Sequence, residues 1–339
     1  MERSKEVRLE NIAKEVGVSI VTVSNALKGK KGVSEELRNR IKETAVSMGY
    51  QMPEVGEEKT VETTYCVNVV VAERYVKEFP SFYMDIYKLA AQEISRKGNL
   101  AVLEVVNEEK EKMPYGFSGF LNEDIDGIII IGEMSRDYVA AIRKAYAVPI
   151  VCVDYYDVIP DMDYIVSDSY GGMERMTELL LRSGCRKLKF VGTPEATGSI
   201  MDRYLGFCKA LEKWGIEQKA EDVICDRIPD GYDFRLKVDI PEELPDGFVC
   251  NCDKSAIILI RKLLERGVKI PDEVSIVSFD HYYSDVIPGI ELTTYENDRK
   301  ALAQISVNTL LKRIDNRKES SGVRIVEGKI VCGNTVKQL

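Results

Sequence analysis

From Cys66 onward the sequence alternates short, predominantly apolar runs, interrupted only by Asn68 and Glu104, with longer segments whose apolar residues recur every three or four positions. The runs are Cys66–Ala72, Leu100–Val106, Ile128–Ile131 and Pro149–Val153. Between them, Ser81–Lys97 (Ile86, Leu89, Ala90, Ile94) and Ser135–Ala145 carry helical spacing. An apolar run without alternation suits a strand covered on both faces, and strands alternating with helices imply a parallel sheet between helical layers. The pattern then restarts, with strands at Tyr164–Ser167, Lys187–Val191, Phe248–Asn251 and Val274–Phe279 and helices at Gly171–Arg182, Ser199–Trp214 and Ser255–Arg266. Two doubly wound parallel sheets of similar size predict a bilobal α/β binding core with a ligand cleft between the lobes.

The first fifty residues follow a different rule. Leu9, Ile12, Ala13 and Val16 share one helical face, and Gly17 supplies the turn where a left-handed backbone costs least. Ser19 can cap a second helix, Ile20–Leu27, with Val23, Ala26 and Leu27 inward and Thr22, Ser24 and Asn25 outward. Ser34, Glu35 and Glu36 open a third, which Leu37, Ile41, Ala45 and Met48 line and Gly49 stops. This is a helix-turn-helix whose second helix fits the major groove, although a three-helix domain with no nucleic-acid role has the same pattern. Charge favours DNA. Residues 1–50 hold ten Lys/Arg against seven Asp/Glu, a local +3 in a chain of net −9. Lys28, Lys30 and Lys31 stand just after the recognition helix, where phosphates would lie.

Composition narrows the remaining classes. The 339 residues, 45% of them hydrophobic, suffice for two or three compact units, and no run approaches the roughly 20 apolar residues of a membrane span. The charged N-terminus lacks a signal peptide's apolar stretch, so a cytoplasmic protein with reduced thiols is expected. The eight cysteines have no paired zinc spacing, and His281 is the single histidine, so neither a metal site nor His-based catalysis is expected. No cofactor motif is present: the dinucleotide fingerprint is missing, and Gly171-Gly172 at a helix start lacks the Lys and Ser/Thr of a P-loop. Residues 53–63, with Pro53, Gly56, four Glu and one Lys, form a linker.

The ordered residues Ile12-Ala13, Gly17-Val18-Ser19, Thr22-Val23-Ser24, Leu27, Gly29, Val33-Ser34 and Gly49-Tyr50 resemble the DNA-binding head of the lactose-repressor (LacI/GalR) family. The core continues the resemblance in Val166–Gly172, Arg203–Phe207, Val268–Ile276, Ser278-Phe-Asp280 and Leu292-Thr-Thr294, so that it spans Arg8 to about Val331. It implies a head (1–52), the linker (53–63) and a periplasmic-binding-protein-like core (64–339). The N-lobe would comprise about 64–163 and 294–318, and the C-lobe about 164–293 and 319–339. It further implies a homodimeric transcriptional regulator, a repressor in function, that binds a double-stranded, two-fold operator and responds to a small molecule, a sugar. A regulator that has lost effector response, or a sugar-binding protein without DNA function, are the alternatives.

By family position, Ile20, Val21 and Asn25 would read bases, the first two on a thymine methyl and Asn25 on adenine, while Ser19, Thr22, Ser24 and Lys28 would hold phosphates. In the cleft, Arg203, Asp253 and Asp280 would bind sugar hydroxyls and Phe82 and Tyr83 would cover its C–H face. Other readings stand beside these: a lobe-bracing ion pair for Arg203, a helix N-cap for Asp253, core packing for Phe82 and Tyr83, exposed helix for Thr22 and Ser24. The sequence departs from the family pattern in five places, the first being Asn25 where the family's usual Arg is absent. The linker has no leucine and repels phosphate, which argues against a hinge helix in the minor groove. Asn251-Cys252-Asp253 stands for the family's A-N-D, Phe79-Pro-Ser-Phe82 lacks its Asn, and Cys225–Asp246 lacks the amphipathic helix expected before Phe248.

Overall fold

In the head, α1 (Leu9–Val16) buries Ile12, Ala13 and Val16 on the face its spacing defines. Gly17 ends it in the left-handed region, φ 79°, with its N–H on the Ala13 carbonyl. Ser19 then starts α2 (Ile20–Leu27): its Oγ accepts from the Thr22 N–H at 3.1 Å and shares a 2.8 Å bond with the Thr22 hydroxyl. Ser34 caps α3 (Glu35–Ser47), and Ile41 and Ala45 close the small core against Val23 and Ala26. Arg38 of α3 donates from Nη1 to the Ala26 carbonyl at 3.0 Å, satisfying an orphan acceptor in the last turn of α2.

The computed structural model describes residues 7–27, 33–50, 64–77, 81–113, 124–228, 236–282, 287–316 and 319–338. Lys28, Lys30 and Lys31 and the linker 53–63 lie outside the described residues. The chain divides into two compact units between Thr63 and Thr64.

In the core unit, the first lobe is built from β1 (Cys66–Ala72), α4 (Glu73–Lys77), α5 (Phe82–Arg96), β2 (Leu100–Val106), α6 (Glu108–Lys112), β3 (Gly127–Ile131), α7 (Arg136–Ala145), β4 (Ile150–Val153) and β5 (Asp163–Ser167). The chain then crosses into the second lobe: α8 (Ser169–Arg182), β6 (Leu188–Val191), α9 (Gly198–Lys213), β7 (Val223–Ile224), β8 (Gly247–Cys250), α10 (Asp253–Glu265), β9 (Ser275–Asp280) and β10 (Thr293–Glu296). It returns for α11 (Arg299–Asp315) and β11 (Val323–Val326), and crosses a last time to β12 (Lys329–Val331). The sheets run β11-β5-β4-β3-β1-β2 and β12-β10-β9-β8-β6-β7. Each pairs its strands in parallel except β10 with β12. That strand enters from the other lobe and so runs against its neighbour. Wholly buried strands such as β3, Gly-Ile-Ile-Ile-Ile, read as unbroken apolar runs because helices cover both faces.

One expectation needs correction. The lobe boundaries at 164, 294 and 319 are displaced, because β5 and β11 belong to the first sheet and β10 to the second. Alternation of strand and helix gives the order of elements, whereas sheet membership depends on pairing, and the crossings follow each of these strands. Gly171-Gly172 is no anion cradle: Asp168 Oδ1 already takes the Gly171 N–H at 3.0 Å, and a Cβ on Gly172 would stand 2.8 Å from the Tyr295 ring. The segment from Cys225 to Asp246 has no helix among its described residues, and Val238, Ile240 and Leu244 pack instead with the α10 side of the lobe.

Candidate functional site

The C-terminal ends of the parallel strands face the opening between the lobes, the place where open α/β sheets bind ligands. Asp154 follows β4, Asn251 follows β8, and Asp280 ends β9. Together with Phe82, Tyr83 and Arg203 they line a cavity of about 100 Å³. Asp154 and Asp280 hold φ at 64° and 96°, left-handed conformations in which an L-residue is strained.

Arg203, 5% exposed on α9, organises one wall. Its Nη1 donates to the Asn251 carbonyl at 2.7 Å, its Nη2 to Asp280 Oδ1 at 2.9 Å, and its Nε reaches Ser169 Oγ at 3.4 Å. The guanidinium also lies 4.1 Å from the Phe279 ring centroid. Asp280 accepts a second bond from Asn297 at 3.1 Å. Across the cleft, Asp154 accepts from Ser167 Oγ at 2.7 Å. Burial pushes the Asp154 carboxyl up to about 6 in spite of that bond and the Arg203 charge. Arg203 is thus both the lobe-bracing ion pair and a cavity-lining group.

Phe82 and Tyr83 stand at the start of α5, which Ser81 caps. Phe82 meets Tyr282 of the opposite lobe edge-on, with centroids 5.7 Å apart, and Arg299 lies over the Tyr282 ring at 4.9 Å. On the other flank Glu133, after β3, accepts from the Gly198 N–H at the start of α9, 2.8 Å across the lobe boundary. Beyond it lies a larger cavity of about 440 Å³, and Thr197 lines both.

Asp253 is placed elsewhere than either sequence reading put it. It is the first residue of α10 and does not cap it; Cys252 stands at the cap position. At 1% exposure it lies behind the wall, where Oδ1 accepts from Ser278 Oγ at 2.5 Å and Thr294 Oγ1 at 2.7 Å and Oδ2 from the Tyr282 N–H at 2.6 Å. Burial and the nearby Asp280 push it up to about 7. Its geometry positions Tyr282 rather than meeting a ligand. The wall residues that the sequence reading missed include Asp154, Asn251, Arg227 and Tyr282. A strand end was a usable signal for the first two. Neither Arg227 nor Tyr282 carries any periodicity.

In the head, Ile20 and Val21 are 46% and 67% exposed on α2, an unusual pair of apolar side chains to leave in water. Thr22, Ser24 and Asn25 are half-buried beside them, and Ser19 is exposed. Among the described residues no group of His, Cys, Asp and Glu is placed to hold a metal ion, and no helix is long and apolar enough to cross a membrane.

Comparison with known proteins covers both units. The family described as "Bacterial regulatory proteins, lacI family" matches residues 8–52, and the "Periplasmic binding protein-like domain" matches residues 177–336. The HTH-type transcriptional repressor PurR of Mannheimia succiniciproducens is 23% identical, over 98% of this chain and 99% of its own. A solved transcriptional regulator CelR–cellobiose complex shares the fold with a TM-score of 0.67 at 20% identity, over 97% of this chain and 100% of that one. The lac repressor dimer bound to operator and the anti-inducer ONPF gives a TM-score of 0.66 at 19% identity, over 98% and 100%.

Proposed function

The chain belongs to the lactose-repressor (LacI/GalR) family and is a DNA-binding transcriptional repressor with a ligand-binding core, and from that premise we propose that it is a cytoplasmic homodimer whose operator affinity is set by a sugar held between the lobes. In this reading Ile20, Val21 and Asn25 contact base edges, Ser19, Thr22, Ser24 and Lys28 contact phosphates, and Asp154, Arg203 and Asp280 bind sugar hydroxyls beside Phe82 and Tyr83. Asp253 acts through Tyr282.

The observation that carries the cleft assignment is the meeting of Asp154 and Asp280, from opposite lobes, at one small aromatic-walled cavity. Carboxylates accept from hydroxyls and aromatic faces cover C–H surface, a combination suited to a polyol. The solved relative that holds cellobiose supports the sugar class. For the head, the supporting observation is the exposure of Ile20 and Val21, which a major-groove contact would cover.

Operator selection with the purified chain, followed by titration at several salt concentrations, tests the DNA assignment. Affinity should fall with a log–log slope of roughly −5 to −10 for a dimer, and Asn25→Ala should relax base choice at one position per half-site by about 1–3 kcal/mol. A salt-insensitive complex, or unchanged base preference in Asn25→Ala, would count against α2 as the reading helix.

A further inference from the structure

Three crossings join the lobes, and they run side by side. The first is Asp168, between β5 and α8; the second is Asn297-Asp298, between β10 and α11; the third is Glu327-Gly328, between β11 and β12. The Asp168 N–H donates to the Val326 carbonyl at 3.0 Å, which carries the β5–β11 pairing on to the first and third crossings. Gly328 lies so close to the second that a Cβ there would stand 2.1 Å from the Glu296 carbonyl oxygen. Lys329 and Glu296 pair across the same bundle at 3.1 Å.

Arg175 of α8 reaches this bundle from the second lobe. Its Nη1 donates to Glu327 Oε1 at 2.5 Å in the third crossing, and its Nη2 to Asp168 Oδ2 in the first. Nη2 also donates to Tyr295 Oη at 2.8 Å, on the strand that leads into the second. Tyr295 is fully buried, and its Oη accepts in turn from the Gly328 N–H at 2.9 Å. The Arg175 Nε donates to the Gly171 carbonyl at 3.2 Å, so α8 itself helps to fix the plane of the guanidinium. One planar fork thus ties all three crossings to the second lobe. A rigid fork that holds several acceptors cannot follow them if they turn separately.

Opening a bilobal core bends its crossings. Arg175 lines neither cavity of the cleft, so its bonds act on the crossings and not on a ligand. We propose that Arg175 is a hinge restraint: by holding Asp168, Glu327 and Tyr295 together it limits how far the lobes open, and so sets how much of a ligand's binding energy closure consumes. It is a positioning residue for the ligand response. The restraint goes beyond the sugar reading and does not depend on which ligand the cleft takes.

The Gly198 N–H reports closure. It lies in the first turn of α9, where a helix supplies no acceptor of its own, and it donates to Glu133 Oε2 of the other lobe at 2.8 Å. The Ile200 N–H, in the same turn, bonds within its own lobe to Thr197 Oγ1 at 3.3 Å and serves as the control for local fraying. Hydrogen exchange read residue by residue on the full chain, without ligand or operator, tests the restraint.

Arg175→Met keeps much of the stem and removes the fork. It should speed exchange at Gly198 about threefold or more, while Ile200 and the strand residues Ile129 and Val249 exchange as in the parent. Arg175→Lys, which can hold one carboxylate but not the fork, should recover part of the protection. Glu327→Gln changes a side chain that is 71% exposed, and should give a smaller rise at Gly198 alone. Unchanged exchange at Gly198 in Arg175→Met would overturn the proposal. So would a rise shared by Ile200, Ile129 and Val249, which is fraying or loss of overall stability. If Arg175→Met does not fold, Glu327→Gln decides by the same criterion. No ligand takes part, so failure here leaves the sugar reading standing.

Discussion

Replacing Asp154 by Asn measures what it costs to keep a carboxylate in the wall of the cleft. In the unfolded chain Asp154 titrates at its ordinary 3.8, and in the folded chain burial raises it to about 6. Because the folded value is the higher, the folded state prefers the proton. Stability is fully present below the unfolded pKa and is lost as pH rises through 6. A difference of about two pKa units corresponds to about 3 kcal/mol, most of which, about 2–3 kcal/mol, falls between pH 4 and pH 8. Asparagine keeps the shape, keeps Oδ1 for the Ser167 hydroxyl, and is among the residues that tolerate φ near 64°. It cannot titrate. Asp253, also raised by burial, is present in both proteins and cancels in the comparison. Urea unfolding followed from pH 4 to pH 8 should therefore show Asp154→Asn gaining about 2–3 kcal/mol on the parent as pH rises. Two stability curves that run parallel over that range would refute the reasoning. A residue that lowers stability at neutral pH and holds a strained backbone is expected to be kept for binding, so the same variant should weaken any sugar that the parent binds.

Two further outcomes follow from single contacts. Glu133→Ala removes the bond from the Gly198 N–H that joins the lobes at 2.8 Å. It should weaken cleft-ligand binding by about 1–2 kcal/mol, about tenfold, by calorimetry; an unchanged Kd would mean that this contact contributes nothing to closure. Gly206→Ala places a Cβ 2.2 Å from the Tyr170 carbonyl oxygen, so α8 and α9 must move apart. Urea unfolding should show a loss of at least about 2 kcal/mol, and full stability would contradict the packing of these helices.

Periodicity made the elements readable. Ile128–Ile131 and Cys66–Ala72 read as strands covered on both sides, and Gly17 followed by Ser19 punctuated the head at the turn and the cap. Local sequence carries that information because it is written in neighbouring side chains. Pairing partners are not written there: β11 joins β5 across 155 or more residues, which is why the lobe boundaries were displaced. The cleft was legible in part. Asp280 and Arg203 came from motif positions, and the structure brings them together at 2.9 Å. Asp253 was misread because an acid at a helix start looks like a cap or a ligand group, whereas Ser278, Thr294 and the Tyr282 N–H occupy it from distant parts of the chain. Asp154, before Tyr155-Tyr156, reads as an ordinary turn residue until β4 is seen to end at the cleft. Arg227 lies in a segment without any repeat, and only Asp226, Asn251 and Ser255 folded around it give it a direction.

The proposed regulation requires that ligand in the cleft and operator at the head be coupled. Operator affinity measured by fluorescence anisotropy, with and without a saturating cleft ligand identified by calorimetry, tests it most directly. Coupling of this kind is typically about 1–3 kcal/mol, so operator affinity should change by at least about fivefold, with the operator altering ligand affinity by the same factor. A ligand that binds the core while operator affinity stays the same would contradict it.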